Sequence, residues 1–158
     1  LGDLAVRLCD LRLDEGRQLL VASPAYLARH GTPQHPDDLA QHRGISPTYT
    51  TLHGMPMWRD GHSHRFELPS VFASSDAMLS YQLARAGAGI AYLSEWLVAD
   101  DVADGRLHHI LPDYTIPPTT LYAAYVNRQF LSAKVRSFID FLADKLSHTS
   151  TSCSHPAA

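Results

Sequence analysis

The sequence holds only two cysteines in 158 residues, Cys9 and Cys153, far apart and the second in a polar tail. No disulfide framework is expected, reduced thiols are the default, and redox chemistry is not indicated. No run approaches the roughly 20 apolar residues of a membrane helix. Leu1 to Asp10 has neither the basic region nor the apolar stretch of a secretory signal, so a cytoplasmic location is expected. A basic cluster is missing too: 13 Lys and Arg face 16 Asp and Glu, for a formal net charge of -3. Because duplex affinity comes largely from neutralising phosphates, this stretch is not expected to bind nucleic acid alone; any DNA contact belongs to another segment. The sequence has no Gly-x-Ser-x-Gly elbow, no defensible Ser, His and Asp set, and no internal repeat. Gly87-Ala88-Gly89 lacks the third glycine of a dinucleotide fingerprint and follows a helix instead of preceding one, so it reads as a helix stop and tight turn.

What is present is globular: 45% hydrophobic residues can supply a packed core. Leu4, Val6 and Leu8 alternate with Asp3, Ala5 and Arg7 as in a strand. Leu19-Leu20-Val21-Ala22 is a continuous apolar run suited to a strand covered on both faces. Ser23-Pro24 then starts a helix through Tyr26 and Leu27 that Gly31 closes, since Ser caps free N–H groups and Pro is tolerated at the first helical position. Pro36-Asp37-Asp38-Leu39 predicts a second short helix with its acids at the positive end. Gly44 to Ser74 predicts an antiparallel ribbon, with Asp60-Gly61 as the hairpin turn. Ser74-Ser75-Asp76 caps a helix through Met78, Leu79, Leu83 and Ala86, and the strand Ile90 to Leu93 follows. A helix after Ser94 carries Trp96, Leu97 and Val102, ends near Gly105, and gives way to a strand-like Leu107 to Leu111. Pro112, Pro117 and Pro118 make a stiff connector and a lobe boundary. Leu121 to Val126 reads as a strand, and Val135, Phe138, Ile139, Leu142 and Leu146 recur at helical spacing as a core-packing stripe. Ser147 to Ala158 has no periodicity and is expected to be a disordered tail.

Strands alternating with helices indicate an α/β sandwich, and the hairpin-rich sequence between Ser23-Pro24 and Pro117-Pro118 suggests a second lobe inserted into the first. The expected division is 1–22 with 119–147 as the first lobe, 23–118 as the second, and 148–158 as tail. Two crossings imply a hinged cleft.

Ten histidines raise a metal hypothesis, with His62-Ser63-His64 and His108-His109 the densest groups. The spacing is poor: there is no paired cysteine or Glu-bearing helix motif, and His108 and His109 point to opposite faces of a strand. Histidines on a solvated ribbon are the plainer reading.

Asp3-Leu4-Ala5-Val6-Arg7 and Leu20-Val21-Ala22-Ser23-Pro24-Ala25-Tyr26-Leu27 resemble the central effector-domain sequence of LysR-type transcriptional regulators. Thr32-Pro33 with Asp38-Leu39-Ala40, then Ala86-Gly87-Ala88-Gly89-Ile90-Ala91 and Trp96-Leu97-Val98, are similar to that family's second lobe. Leu121 to Tyr125 and Lys134 to Leu142 resemble its closing strand and helix, so the collinear match spans nearly all of Asp3 to Leu146. The resemblance implies an α/β fold of the type 2 periplasmic-binding-protein kind, two lobes joined by two crossover strands with a small effector in the cleft. It also implies that the winged helix-turn-helix, the linker helix and the first strand-helix-strand unit stand before Leu1, so the first lobe is expected to be incomplete. An open sheet edge and self-association are expected with it. Ser94 stands where family members often carry proline.

An effector carboxylate would be held by helix amino termini and hydroxyls. Ser74 and Ser75 match the family's effector-facing turn, although helix capping explains them equally. Ser46 and Thr48 could line the opposite rim, Arg7 could pair with an anion or make a surface salt bridge, and Ser94 sits at a cleft-facing turn. The resulting expectation is an effector-binding domain, not an enzyme, with no cofactor and no metal. It senses a small metabolite, a carboxylate or an aromatic compound, and works in a homo-oligomer, dimer or tetramer, that meets DNA only through another domain. Lobe closure is the expected output. The alternatives are a solute-binding protein of a transport system, which would require export, and a histidine-dependent metalloenzyme.

Overall fold

The computed structural model describes the backbone of residues 9–125 and 133–150, and the side chains of residues 16–119 and 134–142. The chain divides into two compact units: Arg17–Pro118 forms one, and Leu1–Gly16 with Thr119–Ala158 the other, so the first is inserted between the two segments of the second.

Within Arg17–Pro118 a five-stranded mixed sheet runs in the order β6-β3-β7-β2-β8. Its members are β2 (Gln18–Ala22), β3 (Gly44–Pro47), β6 (Ser70–Ser74), β7 (Ile90–Ser94) and β8 (His108–His109). Strand β2 is buried along its whole length, because side chains alternate across the sheet and both faces are covered. Leu20 and Ala22 join one core with Tyr26, Leu39, Met57 and Phe66. Leu19 and Val21 join the other with Ile45, Ala91, Val98 and Leu107. Helix α1 (Pro24–His30) starts where the sequence predicts. The Ser23 hydroxyl accepts from the Tyr26 N–H, Pro24 holds the first turn, and the Gly31 N–H closes onto the Leu27 carbonyl.

The Pro36–Gln41 segment is a 3-10 helix, and its acid acts backwards: the Asp38 carboxylate accepts from the backbone N–H of Gln34 and of His35, each at 2.9 Å. Strands β4 (His53–Arg59) and β5 (His62–Glu67) form the expected hairpin. Both turn residues, Asp60 and Gly61, adopt positive φ, which suits the right-handed twist of the flanking strands. Instead of remaining one ribbon, the Gly44–Ser74 region supplies β3 and β6 to the main sheet as a parallel pair.

Helices α2 (Ala77–Arg85) and α3 (Glu95–Ala103) also lie in this unit. Gly87, at φ +76°, ends α2, and a Cβ on Gly89 would overlap the Arg43 carbonyl. The buried Asp101 of α3 meets Arg106, and Arg85 Nε lies 3.5 Å from its Oδ2. Burial alone would raise the Asp101 pKa, but the Tyr81 hydroxyl, Arg106 and Arg85 outweigh it and hold the carboxyl below its ordinary range. The proline-rich stretch, expected as a stiff connector outside any element, is docked on β4. Trp58 and Thr115 exchange backbone hydrogen bonds at 2.8 Å each, and Tyr114 is buried in the core. Strand pairing over Leu107–Leu111 shrinks to His108–His109, since Leu111 turns into positive φ.

In the other unit β1 (Cys9–Gly16) pairs antiparallel with β9 (Thr119–Tyr125), and α4 (Ala133–Ser150) packs on β1. The strand expected at Leu4 to Leu8 lies outside the described residues. Two sequence expectations shift. The unit boundary falls at Gly16/Arg17, not after Ala22, because β2 takes its hydrogen-bond partners from β7 and β8. Helix α4 continues through Ser150, past the point where the tail was expected to start, and residues 151–158 lie outside the described residues. The α4 stripe is also less buried than predicted: Val135, Phe138 and Phe141 are exposed, and Ile139 and Leu142 half-buried.

Candidate functional site

Strands β3, β6 and β7 run parallel, so their carboxyl ends, at Pro47, Ser74 and Ser94, emerge together beside Gln18 at the start of antiparallel β2. In open α/β sheets this end is where ligands are bound, because helix amino termini and loop side chains converge there. A cavity of about 40 Å³ opens at this edge, lined by Gln18, Pro47, Tyr49, Ser74, Ser75, Ala77, Ser80, Tyr92, Leu93 and Ser94. That volume admits one or two water-sized groups, so it suits a ligand's polar head while the remainder extends outward. Among the lining residues none carries a formal charge, and the polar groups are hydroxyls and one carboxamide.

Their hydrogen bonds fix what they can offer. Gln18 Nε2 donates to Ser94 Oγ at 3.0 Å, tying β2 to the start of α3. Ser74 Oγ accepts from the Asp76 N–H at 3.0 Å, and Ser80 Oγ donates to the Asp76 carbonyl at 3.3 Å. The cap of α2 is Asp76 and not the serines: its Oδ1 accepts from the N–H of Met78 at 2.8 Å and of Leu79 at 3.4 Å. Asp76 immediately precedes the first helical residue and reaches the second and third amides, as caps do. The positive end of α2 is therefore already neutralised by the chain's own carboxylate. Helix α3 differs, because the Ser94 side chain turns to Gln18 and makes no cap bond. Its first-turn acid, Glu95, pairs with Arg17 at 3.1 Å.

The structure thus brings together three sequence-expected residues, Ser74, Ser75 and Ser94. Ser46 and Thr48 line a separate groove; Ser46 is buried and its hydroxyl meets that of Ser70 at 2.6 Å. Arg7 lies outside the described residues. Gln18, Tyr49 and Ser80 were not expected. Gln18 carried one local signal, a polar residue heading an otherwise apolar strand; Tyr49 and Ser80 carried none. His62 and His64 part company: His62 Nδ1 contacts the Asp60 carbonyl at 3.1 Å, whereas His64 meets Tyr114 and His35 edge-on with ring centroids 5.4 and 5.8 Å apart. Among the described residues no group of three or more His, Cys, Asp or Glu is placed to hold a metal ion. No helix among them is long and apolar enough to cross a membrane.

A family model described as LysR substrate binding domain matches residues 7–147. The chain belongs to this family. The LysR domain is 33% identical over 137 residues to the HTH-type transcriptional regulator CrgA of Neisseria meningitidis serogroup C (strain 8013), covering 85% of this chain and 45% of that protein. It is 32% identical over 147 residues to the HTH-type transcriptional regulator DmlR of Escherichia coli K12, covering 89% and 46%. The chain thus spans about half the length of these curated relatives. Its fold matches the solved regulatory domain of CrgA with a TM-score of 0.73 at 30% identity, over 92% of this chain and 72% of that one. Full-length AphB of Vibrio cholerae, described as a member of the LTTR family, matches with a TM-score of 0.74 at 26% identity, over 92% and 50%. The expected periplasmic-binding-protein-like α/β fold is therefore the fold of the LysR domain.

Proposed function

We propose that this chain is the effector-sensing part of a LysR-type transcriptional regulator, and that the cavity at the carboxyl ends of β3, β6 and β7 receives the polar head of the effector. The observation that carries this reading is the convergence of Ser74, Ser75 and Ser94 with Gln18 and Tyr49 on one opening, in a chain of this family. The head group is a carboxylate or hydroxyl met by the Ser75 and Ser94 hydroxyls. Tyr49, 80% exposed at the rim, offers a face on which an aromatic body stacks. Transcriptional output follows from an effector that binds one conformation of the domain better than another, since only that difference shifts the population. DNA is met by another part of the full-length regulator, consistent with the net charge of -3 here.

Self-association is part of the same proposal. Among the described residues β6 is the edge of its sheet, with Val71 and Phe72 exposed, and Met78 and Leu79 are exposed on α2 nearby. An apolar edge strand with unpaired backbone groups is a template for a second copy.

Thermal-shift screening against aromatic and short-chain carboxylates tests the effector reading, because a ligand selective for the native state raises its apparent stability. Any hit is expected to lose about tenfold in affinity or more with Ser75→Ala or Ser94→Ala, as for one lost hydrogen bond to a charged group. A hit that binds both variants like wild type removes the site from this pocket.

A further inference from the structure

The β3–β4 loop has two sides. Pro47 and Tyr49 line the small cavity described above, while Pro47, Thr48, Thr50 and Thr51 line a groove of about 510 Å³ against the β5–β6 turn. That volume is within the range of small-molecule sites. Its floor is apolar, Leu52 and Leu68 both being buried. Above it stand the hydroxyls of Ser46, Thr48, Thr50, Thr51 and Ser70. Ser46 anchors this array from inside, 4% exposed and bonded to Ser70 at 2.6 Å, and Ser70 donates onward to the Phe72 carbonyl at 3.0 Å. At one end His53 and Glu67 pair. No Lys or Arg lines the groove.

We propose that this groove is a second ligand site, for a small neutral polyhydroxylated compound of sugar-ring size. The argument is complementarity. A ligand hydroxyl both donates and accepts, as do the lining hydroxyls, and the apolar floor accommodates the C–H face of a ring. An anion finds no Lys or Arg to pair with and meets Glu67, and a purely apolar ligand would leave the Thr48 and Thr50 hydroxyls without partners. Ligand here immobilises the Pro47–Thr51 loop, whose other side carries Tyr49 at the first cavity, so the two sites are coupled. This coupling rests on the reading of the first cavity as the effector site; the binding claim does not.

Amide-resolved NMR titration of the whole chain with myo-inositol, D-glucose and, as the anionic counterpart, succinate separates the possibilities. The expected result is that a polyol shifts the amides of Thr48–His53 and Glu67–Ala73 saturably while succinate leaves them unmoved. The double substitution Thr48→Val and Thr50→Val is expected to weaken the polyol about tenfold with the rest of the spectrum retained. Should that variant lose its fold, Ser70→Ala takes its place. Absence of saturable shifts there with both polyols overturns the site, and succinate binding in the groove overturns the ligand class. Polyol shifts confined to the groove, with Tyr49, Ser75 and Ser94 unmoved, overturn the coupling while leaving the effector reading standing on its own carboxylate test.

Discussion

His42 is buried beneath the fold's first helix, with its Nδ1 3.2 Å from the Tyr26 hydroxyl, which in turn accepts from the Arg43 N–H at 2.9 Å. Burial, helped by the neighbouring His30, lowers its pKa below the ordinary 6.5, and burial beside Arg17 lowers that of His109. The folded form therefore binds fewer protons than the unfolded one around and below pH 6.5, so stability is fully present above that pH and is lost as pH falls through it. Thermal unfolding followed from pH 7.5 to 5 is expected to show a falling melting temperature, with a smaller fall in His42→Gln, which keeps a polar partner for Tyr26 (pH limits roughly spanning the titration of histidine). An unchanged slope in that variant removes His42 from the account. Asp101 is held charged where the histidines are held neutral: despite burial, the Tyr81 hydroxyl, Arg106 and Arg85 keep its carboxyl ionised, so its contribution too is lost as pH falls. Asp101→Ala leaves two half-exposed arginines that water resolvates, so the expected loss is about 1–3 kcal/mol, not the larger penalty of stranding a buried charge. Chemical denaturation measures it.

Elements whose chemistry is local were legible in the sequence. The Ser23-Pro24 start and Gly31 end of α1 act within a few residues, as does the Asp60-Gly61 turn, so each could be read without knowing its neighbours. Pairing partners were not legible. Ser70–Ser74 leaves the expected ribbon to pair in parallel with β3, a choice made by the sheet and not by the strand. The candidate site shares this limit. Its serines stood out because they precede helices, whereas Gln18 and Tyr49 reach it only through the order β6-β3-β7-β2. The Gly87-Ala88-Gly89 stop was legible for its turn, but the tight approach of Gly89 to the Arg43 carbonyl was not, because it joins the start of β7 to the start of β3. Gly89→Ala has no side-chain end to yield against, only backbone, and is expected to destabilise by about 1–3 kcal/mol, the range for overpacking. An equilibrium unfolding curve indistinguishable from wild type would show that the β3–β7 pair moves apart freely.

For the whole molecule the question is which exposed apolar surface joins two copies. Each unit has one: Val71 and Phe72 with Met78 and Leu79 in the inserted unit, and Val135, Phe138 and Phe141 on α4 in the other. Apolar area alone does not separate them. The β6 patch adds a row of backbone groups that, among the described residues, β3 pairs on one side only, and a second strand laid along that edge gains directional hydrogen bonds as well as burial. A helix face offers burial alone, since its backbone is already bonded internally. The β6 edge is therefore expected to dominate association of this chain. Light scattering across a concentration series should show Phe72→Glu at monomer mass where wild type is larger, because a carboxylate on the strand meets its own copy as well as losing apolar contact. Phe138→Glu should leave the larger species in place. If Phe138→Glu dissolves it and Phe72→Glu does not, the helix stripe is the joining surface and the hydrogen-bonding edge is not what decides.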